Sequence, residues 1–90
     1  MTSIQTQFQH TVDHVNNTES TTKPSPADQL EIYSLYKQAS QGDVTGNAPS
    51  MLNPIGRAKH KAWAEKKGLS QEEAMQAYIQ KIESMNINAT

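Results

Sequence analysis

The sequence predicts an all-α protein, built as a small four-helix bundle. Apolar residues recur at helical spacing, proline and serine cap signals mark helix starts, and no segment reads as a convincing strand. Only 34% of the residues are hydrophobic, but they are grouped, which favours a folded core over disorder. A chain of 90 residues fits one domain. We place this domain at residues 4–86 and expect flexible ends at 1–3 and 87–90.

The first predicted helix runs from Ile4 to Asn16. Its apolar stripe has the i, i+3, i+4, i+7 spacing of one buried helix face and consists of Phe8, Thr11, Val12 and Val15. The segment that follows, up to residue 25, is polar and contains a proline. We therefore expect a loop there.

The second predicted helix starts at Pro26 and ends at Ser40 or Gln41. Ser25 can cap it, Pro26 suits its first position, and Asp28 complements the positive helix end. Gly42 suits the residue that follows the last turn.

The next connection, residues 42–55, contains two glycines and two prolines. It is long for a connection without local structure, and such loops are often functional or pack over another element. Its apolar residues Met51, Leu52 and Ile55 are expected to pack onto the bundle.

The last two helices are predicted at Gly56 to Lys67 and at Gln71 to Met85. Ser70 followed by Glu73 is a capping box, which places the start of the fourth helix. The apolar stripe of this helix again has i, i+3, i+4, i+7 spacing and consists of Met75, Tyr78, Ile79 and Ile82.

Several classes of protein lack support in the residues. The chain has no cysteine, which excludes disulfides and thiolate metal sites and fits a reducing compartment. Neither an N-terminal signal peptide nor an apolar stretch of ~20 residues is present. His10 and His14 have i, i+4 spacing but no evident third ligand, so we expect no metal. There is no nucleophile motif and no phosphate-binding glycine loop.

The positive charge is concentrated in one segment. Residues 54–70 hold five basic residues and one glutamate, although the formal net charge of the chain is −1. A local positive patch on a nearly neutral protein favours a compact anionic ligand over a long polyanion. Lys59, and with it Arg57, could meet a phosphate there. The alternative is a solvated basic face with Trp63 turned to the core.

The segment IYSLYKQASQGD, residues 32–43, places two tyrosines and a lysine in one sector of the second helix. Tyr33 and Lys37 lie ~40° apart around the helix axis, and Tyr33 and Tyr36 ~60° apart. One interpretation is two core tyrosines with a lysine beside them. The other is a site for an anion attached to a flat or apolar group, because tyrosine offers a ring and a hydroxyl and lysine a charge. Phosphate attached to a purine would use all of these.

Three motifs in order resemble the acyl-CoA-binding protein family. They are IYSLYKQASQGD at 32–43, GRAKHKAW at 56–63 and KKGLSQEEAMQAYIQKIESM at 66–85, and the resemblance extends from about Phe8 to Met85. It implies a bundle of up-down-down-up topology that binds long-chain acyl-CoA esters in the cytosol. It also implies a monomer without catalysis, cofactor or membrane insertion.

The resemblance also implies roles for individual residues. Tyr33, Tyr36 and Lys37 would meet the nucleotide and its phosphates, and Lys59 would join them at the 3′-phosphate. Tyr78 would contact the ligand where the acyl chain enters. The apolar part of the site would be lined by Leu30 and Val12.

Some positions depart from the family pattern. Asn16 and Ile55 stand where family members often have lysine, and His60 replaces a tryptophan. The loop between the first two helices is two residues longer. Asn16 and Ile55 are therefore not counted as charged contacts.

Two other classes remain open from the residues alone. One is a helical nucleic-acid-binding module that uses Arg57 to Lys67, although acids elsewhere balance its charge and no wide basic face is evident. The other is a protein-interaction bundle without a small ligand. An enzyme has the least support.

Overall fold

The computed structural model describes residues 3–17 and 25–85. The described residues form four helices and no strand, which confirms the all-α prediction. The helices are α1 (Ile4–Asn17), α2 (Pro26–Gln41), α3 (Pro54–Ala64) and α4 (Gln71–Ser84). The predicted length of the first loop and the predicted flexible ends concern residues that lie outside the described ranges, apart from Ser3.

The ends of α2 and the start of α4 follow the predicted local signals. Ser25 Oγ accepts a hydrogen bond from Asp28 N at 3.1 Å. Ser70 and Glu73 form both hydrogen bonds of the capping box. Gly42 follows α2 with a φ of +82°, a conformation that costs glycine little, and its N–H donates to Gln38 O.

The predicted bounds of the third helix, Gly56 to Lys67, were wrong at both ends. The helix starts at Pro54 because Asn53 caps it, accepting a hydrogen bond from Gly56 N at 3.0 Å. It ends at Ala64 because the backbone then changes to tighter turns, in which Lys66 N bonds Trp63 O and Lys67 N bonds Ala64 O.

Contacts between the helices establish their relative directions. The pairs Tyr33–Lys59 and Lys37–Trp63 join α2 to α3 in increasing order along both helices, so these two helices run parallel. Between α2 and α4 the order reverses, because Asp28 meets Lys81 while Ala39 meets Gln71. These directions are the ones that the last three helices have in an up-down-down-up bundle.

The core lies where α1, α2 and α4 meet. α2 also packs against α3, and α1 packs against α4. The buried residues of the core are the following: Phe8, Val12, Leu35, Ala39, Ala74, Met75, Tyr78 and Ile82. The predicted stripes of the first and fourth helices thus face this core, with Val15 and Ile79 only partly buried at its edge.

The expectation that Met51, Leu52 and Ile55 pack onto the bundle was wrong. Their exposed fractions are 84%, 94% and 70%. Met51 and Leu52 are the central residues of a turn closed by a hydrogen bond from Asn53 N to Ser50 O at 2.9 Å. The closed turn and the helix cap that follows fix the backbone, and both side chains remain in solvent.

Asp43 ties the two loops at this end of α2 together. Its Oδ1 accepts hydrogen bonds from Gly68 N at 2.9 Å and from Gln38 Nε2 at 2.8 Å. The Gln38 amide is buried and also donates to Leu69 O at 2.8 Å. The hydrogen bond from Gly68 N, followed by that from Gln38, lowers the pKa of Asp43 from its ordinary value.

We expect Asp43→Asn to lower the melting temperature at neutral pH. A carboxylate whose pKa is lower in the folded state stabilises the fold above its unfolded pKa, which is near 3.9. This contribution is lost as pH falls through the lowered folded pKa. Melting temperatures of the variant and the wild type should therefore converge in acid, as followed by circular dichroism between neutral and strongly acidic pH.

Asp13→Asn is the matched control, because exposed Asp13 bonds Gln9 of its own helix and joins no two elements. The pKa of Asp28 is also lowered, by Lys81 and then Ser25. Asp28 is present in both wild type and Asp43→Asn, so its titration does not contribute to the difference between their melting temperatures. A melting-temperature difference that stays constant across the acid range would contradict the assignment to Asp43.

Candidate functional site

Two cations of the predicted site lie over aromatic rings of the neighbouring helix. Lys37 Nζ of α2 is 4.9 Å from the centre of the Trp63 ring on α3. Lys59 Nζ of α3 is 5.3 Å from the centre of the Tyr33 ring on α2. Both distances are within the range of a cation–π interaction. Each lysine thus reaches across the line of contact between α2 and α3 to a ring of the other helix. We call this line of contact, formed by Tyr33, Lys37, Lys59 and Trp63, the positive seam.

Both of these lysines are available to an anionic ligand. Within residues 3–17 and 25–85 the ion pairs are Lys66–Glu31 at 2.7 Å and Lys81–Asp28 at 2.9 Å. Neither pair includes Lys37 or Lys59. A ring face attracts a lysine without neutralising its charge, so an arriving phosphate would meet two full positive charges.

An open groove of about 410 Å³ lies between the N-terminal halves of α2 and α3. Its wall is mostly apolar and consists of Pro26, Gln29, Leu30, Pro54, Ile55, Ala58 and Lys59. Leu30 therefore lines an apolar surface. Lys59 belongs both to this wall and to the cation–aromatic pair with Tyr33, so the apolar groove borders directly on the positive seam.

A cluster of three rings lies where α2 meets α1 and α4. Phe8 of α1 lies 5.1 Å from Tyr78 of α4 and 6.1 Å from Tyr36 of α2, and Tyr36 lies 6.5 Å from Tyr78. All three pairs meet edge to face, the arrangement that the charge distribution of aromatic rings favours. Tyr36 is 38% exposed, so it offers part of its surface to a ligand.

The tyrosines of α2 lie at the border of the core rather than inside it. Tyr33 is half-buried against Lys59, and Tyr36 is exposed. Lys37 is half-buried against Trp63. The sector that these residues share is therefore a partly open surface.

Tyr78 is almost enclosed, with 3% of its surface exposed. Burial, and then the neighbouring Tyr36, raises the pKa of Tyr78 to about 12, so its phenol stays protonated at neutral pH. A protonated phenol offers a hydrogen-bond donor rather than a negative charge.

Two predicted contacts lie away from the groove and the seam. Val12 is buried in the core with 9% of its surface exposed. Arg57 donates from Nη1 to Pro49 O at 2.9 Å and thereby braces the loop before α3. The structure thus brings Tyr33, Lys37, Lys59 and Leu30 to the seam of α2 and α3, and Tyr36 and Tyr78 to the ring cluster.

The sequence did not reveal the full part that Trp63 and Ile55 play in this region. The ring of Trp63 receives Lys37 of α2, and its Nε1 donates to Gly42 O at 2.8 Å. Ile55, which stands where family members often have lysine, supplies apolar groove wall. The residue pattern could not predict either contact, because both depend on how α2 and α3 are aligned.

The described residues lack the features of a metal centre and of a membrane span. They contain no group of three or more metal-binding side chains of the His, Cys, Asp or Glu type. None of the described helices combines the length and the apolar character that crossing a bilayer requires.

Known proteins resemble this chain over nearly its whole length. A family model described as acyl CoA binding protein matches residues 5–82. An acyl-CoA-binding protein homolog of Manduca sexta is 48% identical over 84 residues, which cover 92% of this chain and 91% of that protein. The acyl-CoA-binding protein homolog 1 of Caenorhabditis elegans is 42% identical over 64 residues, 71% of this chain and 74% of that protein.

Solved structures show the same fold. The crystal structure of Oryza sativa acyl-CoA-binding protein 2 matches with a TM-score of 0.85 and 36% identity, and the match covers 97% of this chain and 94% of that one. The acyl-CoA-binding protein structure from Moniliophthora perniciosa matches with a TM-score of 0.86 and 32% identity, covering 99% and 84%. These likenesses confirm the predicted fold class.

Proposed function

The chain belongs to the acyl-CoA-binding protein family, and we propose that it is a carrier and buffer of long-chain fatty acyl-CoA esters. The observation that supports this most directly is the continuity of the apolar groove with the positive seam through Lys59. An acyl-CoA ester has the same two parts, a hydrocarbon chain and a phosphorylated nucleotide. A surface with both matches such an amphiphile better than it matches a free nucleotide or a free fatty acid.

Each predicted contact residue receives a role in this proposal. Lys37 and Lys59 bind the phosphates, and Tyr33 and Tyr36 offer ring surface to the nucleotide. Tyr78 donates a hydrogen bond near the entry of the acyl chain. Leu30 lines the apolar wall, supported by its place in the groove. Val12, which lies in the core, contributes through packing.

The proposal extends to the working state of the protein. Residues 4–86 form one domain that acts as a monomer in the cytoplasm and serves fatty acid metabolism. It carries its ligand without catalysis, cofactor or metal. Membership of a family of binding proteins supports this, as does a site whose charged groups are lysines held over aromatic rings.

The basic segment is less suited to nucleic acid. Lys66 is paired with Glu31, which neutralises one of the five cations of the segment. Acidic residues elsewhere balance the others, and the formal net charge of the chain is −1. A continuous phosphate-tracking face would need several of these side chains at once.

The proposal is tested by Lys37→Ala in calorimetric titrations with palmitoyl-CoA and with palmitate. We expect palmitoyl-CoA affinity to fall about 10- to 100-fold, because a hydrogen bond to a charged group contributes roughly 1.5–3 kcal/mol. Palmitate affinity should fall far less, since palmitate lacks the phosphates. An equal loss for both ligands would argue against a phosphate role for Lys37.

Lys61→Ala is the matched control for this titration. Lys61 is an exposed lysine of α3 that lies outside the groove wall and the cation–aromatic pairs. Its removal changes the net charge by the same amount and should leave palmitoyl-CoA affinity unchanged. If wild-type protein fails to bind palmitoyl-CoA, the proposed function is refuted.

A further inference from the structure

One edge of the molecule exposes large apolar side chains. Met51 and Leu52 stand at the tip of the turn before α3, and Ile55 follows in the first turn of that helix. Their exposed fractions are 84%, 94% and 70%. Apart from Tyr36, which belongs to the ring cluster, these are the large hydrophobic residues that the described part of the chain leaves exposed.

The exposure of this edge is built into its backbone. Asn53 N bonds Ser50 O at 2.9 Å, and Leu52 N bonds Ser50 Oγ at 3.2 Å. Asn53 then caps α3, and Arg57 holds Pro49 O. Four hydrogen bonds therefore keep the tip projecting, although folding it inward would bury apolar surface.

Unpaired positive charges accompany the apolar side chains. Met51 lines a shallow recess together with Arg57 and Lys61, and Ile55 lines the groove together with Lys59. All three cations are exposed. Residues 44–64 contain no Asp or Glu, and the acid nearest to these cations along the chain is Glu65, one turn after Lys61. We call Met51, Leu52, Ile55, Arg57 and Lys61 the apolar–basic edge; Lys59 faces α2 and belongs to the ligand site.

We propose that the apolar–basic edge docks on the surface of an anionic lipid bilayer. Side chains that project from a turn can enter a bilayer interface without a partner of matching shape, and neighbouring lysine and arginine side chains are attracted to acidic headgroups. Such docking is peripheral and reversible. It would bring the mouth of the groove to the lipid surface, and this consequence, unlike the docking, rests on the proposed function.

The test is flotation of ligand-free protein with vesicles of phosphatidylcholine, with or without phosphatidylserine. Wild-type protein should float with the phosphatidylserine vesicles and much less with pure phosphatidylcholine. The bound fraction should fall as salt rises, because salt screens the attraction. The double variant Met51→Ser, Leu52→Ser should bind at least about tenfold less tightly, because two apolar side chains no longer enter the interface.

Paired charge variants test the basic part of the edge. Lys61→Gln should weaken binding to phosphatidylserine vesicles, whereas Lys67→Gln, beyond the other end of α3, should do so far less. The proposal is overturned if wild-type protein does not float, if both vesicle types bind it equally, or if the double variant binds as well as wild type.

A solution titration separates this proposal from the proposed function. The double variant should bind palmitoyl-CoA like the wild type, because Met51 and Leu52 lie outside the groove wall. Loss of flotation with intact palmitoyl-CoA binding is the expected pattern. Flotation of a wild-type protein that binds no palmitoyl-CoA would refute the proposed function and leave the docking site standing.

Discussion

Acyl-CoA esters of increasing chain length are expected to bind with steeply increasing affinity until the groove between α2 and α3 is full. Each buried methylene contributes about 0.8 kcal/mol, or about fourfold in affinity. About ten buried methylenes would contribute ~8 kcal/mol before the cost of ordering the chain. Free coenzyme A should therefore bind orders of magnitude more weakly than palmitoyl-CoA in calorimetric titrations below the micelle concentration.

The groove wall offers a matched pair of variants for this series. Ile55→Ala removes apolar surface from the groove, and Leu52→Ala removes a similar side chain three residues earlier that does not line it. Both residues are exposed, so neither change should affect folding. Ile55→Ala should flatten the rise of affinity with chain length, whereas Leu52→Ala should leave it unchanged. Equal affinities of free coenzyme A and palmitoyl-CoA would contradict the apolar groove.

The linkage of the two ligand parts explains why neither surface needs to be extensive. Once the phosphates are held at Lys37 and Lys59, entry of the acyl chain is nearly intramolecular and loses little additional translational freedom. An open groove and the charges of Lys37 and Lys59 can then act together. The same reasoning predicts that loss of one cation weakens the entire ester, as in Lys37→Ala.

Local signals predicted the helices well where a side chain caps its own helix. Ser25 and Ser70 bond backbone groups three residues on, so their effect is contained in the sequence order. The start of α3 was missed because Asn53 and Pro54 were taken as the end of a proline-containing loop. They are a cap and a first helical position, and the same rule would have found them.

Apolar composition alone could not place Met51 and Leu52. It indicates that burial would be favourable, but it does not include the hydrogen bonds that close the turn from Ser50 to Asn53. Their outward position became evident only from the backbone. This conflict between composition and structure is what makes the edge a candidate for function.

Contacts between helices were the least predictable part of the site. Helical spacing grouped Tyr33, Tyr36 and Lys37 in one sector, and this prediction depended on a single helix. The partners of Lys37 and Lys59 depend instead on how α2 and α3 are aligned, which the residue pattern of either helix leaves open. The family resemblance predicted that Lys37 and Lys59 belong to one site. The parallel register of α2 and α3 explains why they lie on the same seam.

Phe8→Ala is expected to cause the largest loss of stability among the changes considered, about 3–5 kcal/mol in the free energy of unfolding. Phe8 is 6% exposed and lies between the rings of Tyr36 and Tyr78. Its removal leaves a cavity between α1, α2 and α4 and ends two edge-to-face contacts. Because small domains have only ~5–15 kcal/mol in total, urea denaturation should show a much lower midpoint.

Val15→Ala is the control on the same helix. Val15 is only partly buried at the edge of the core, so its truncation should cost about 1 kcal/mol or less in the free energy of unfolding.

Phe8→Leu tests the contribution of the aromatic ring separately from that of the side-chain volume. It keeps most of the packing but loses aromatic pairs worth about 0.5–1.5 kcal/mol each, so its stability should lie between those of the wild type and Phe8→Ala. Because Tyr36 packs against the Phe8 ring, Phe8→Leu should also weaken palmitoyl-CoA binding while the protein remains folded. A Phe8→Ala protein as stable as Val15→Ala would show that the ring cluster does not hold α1 on the bundle.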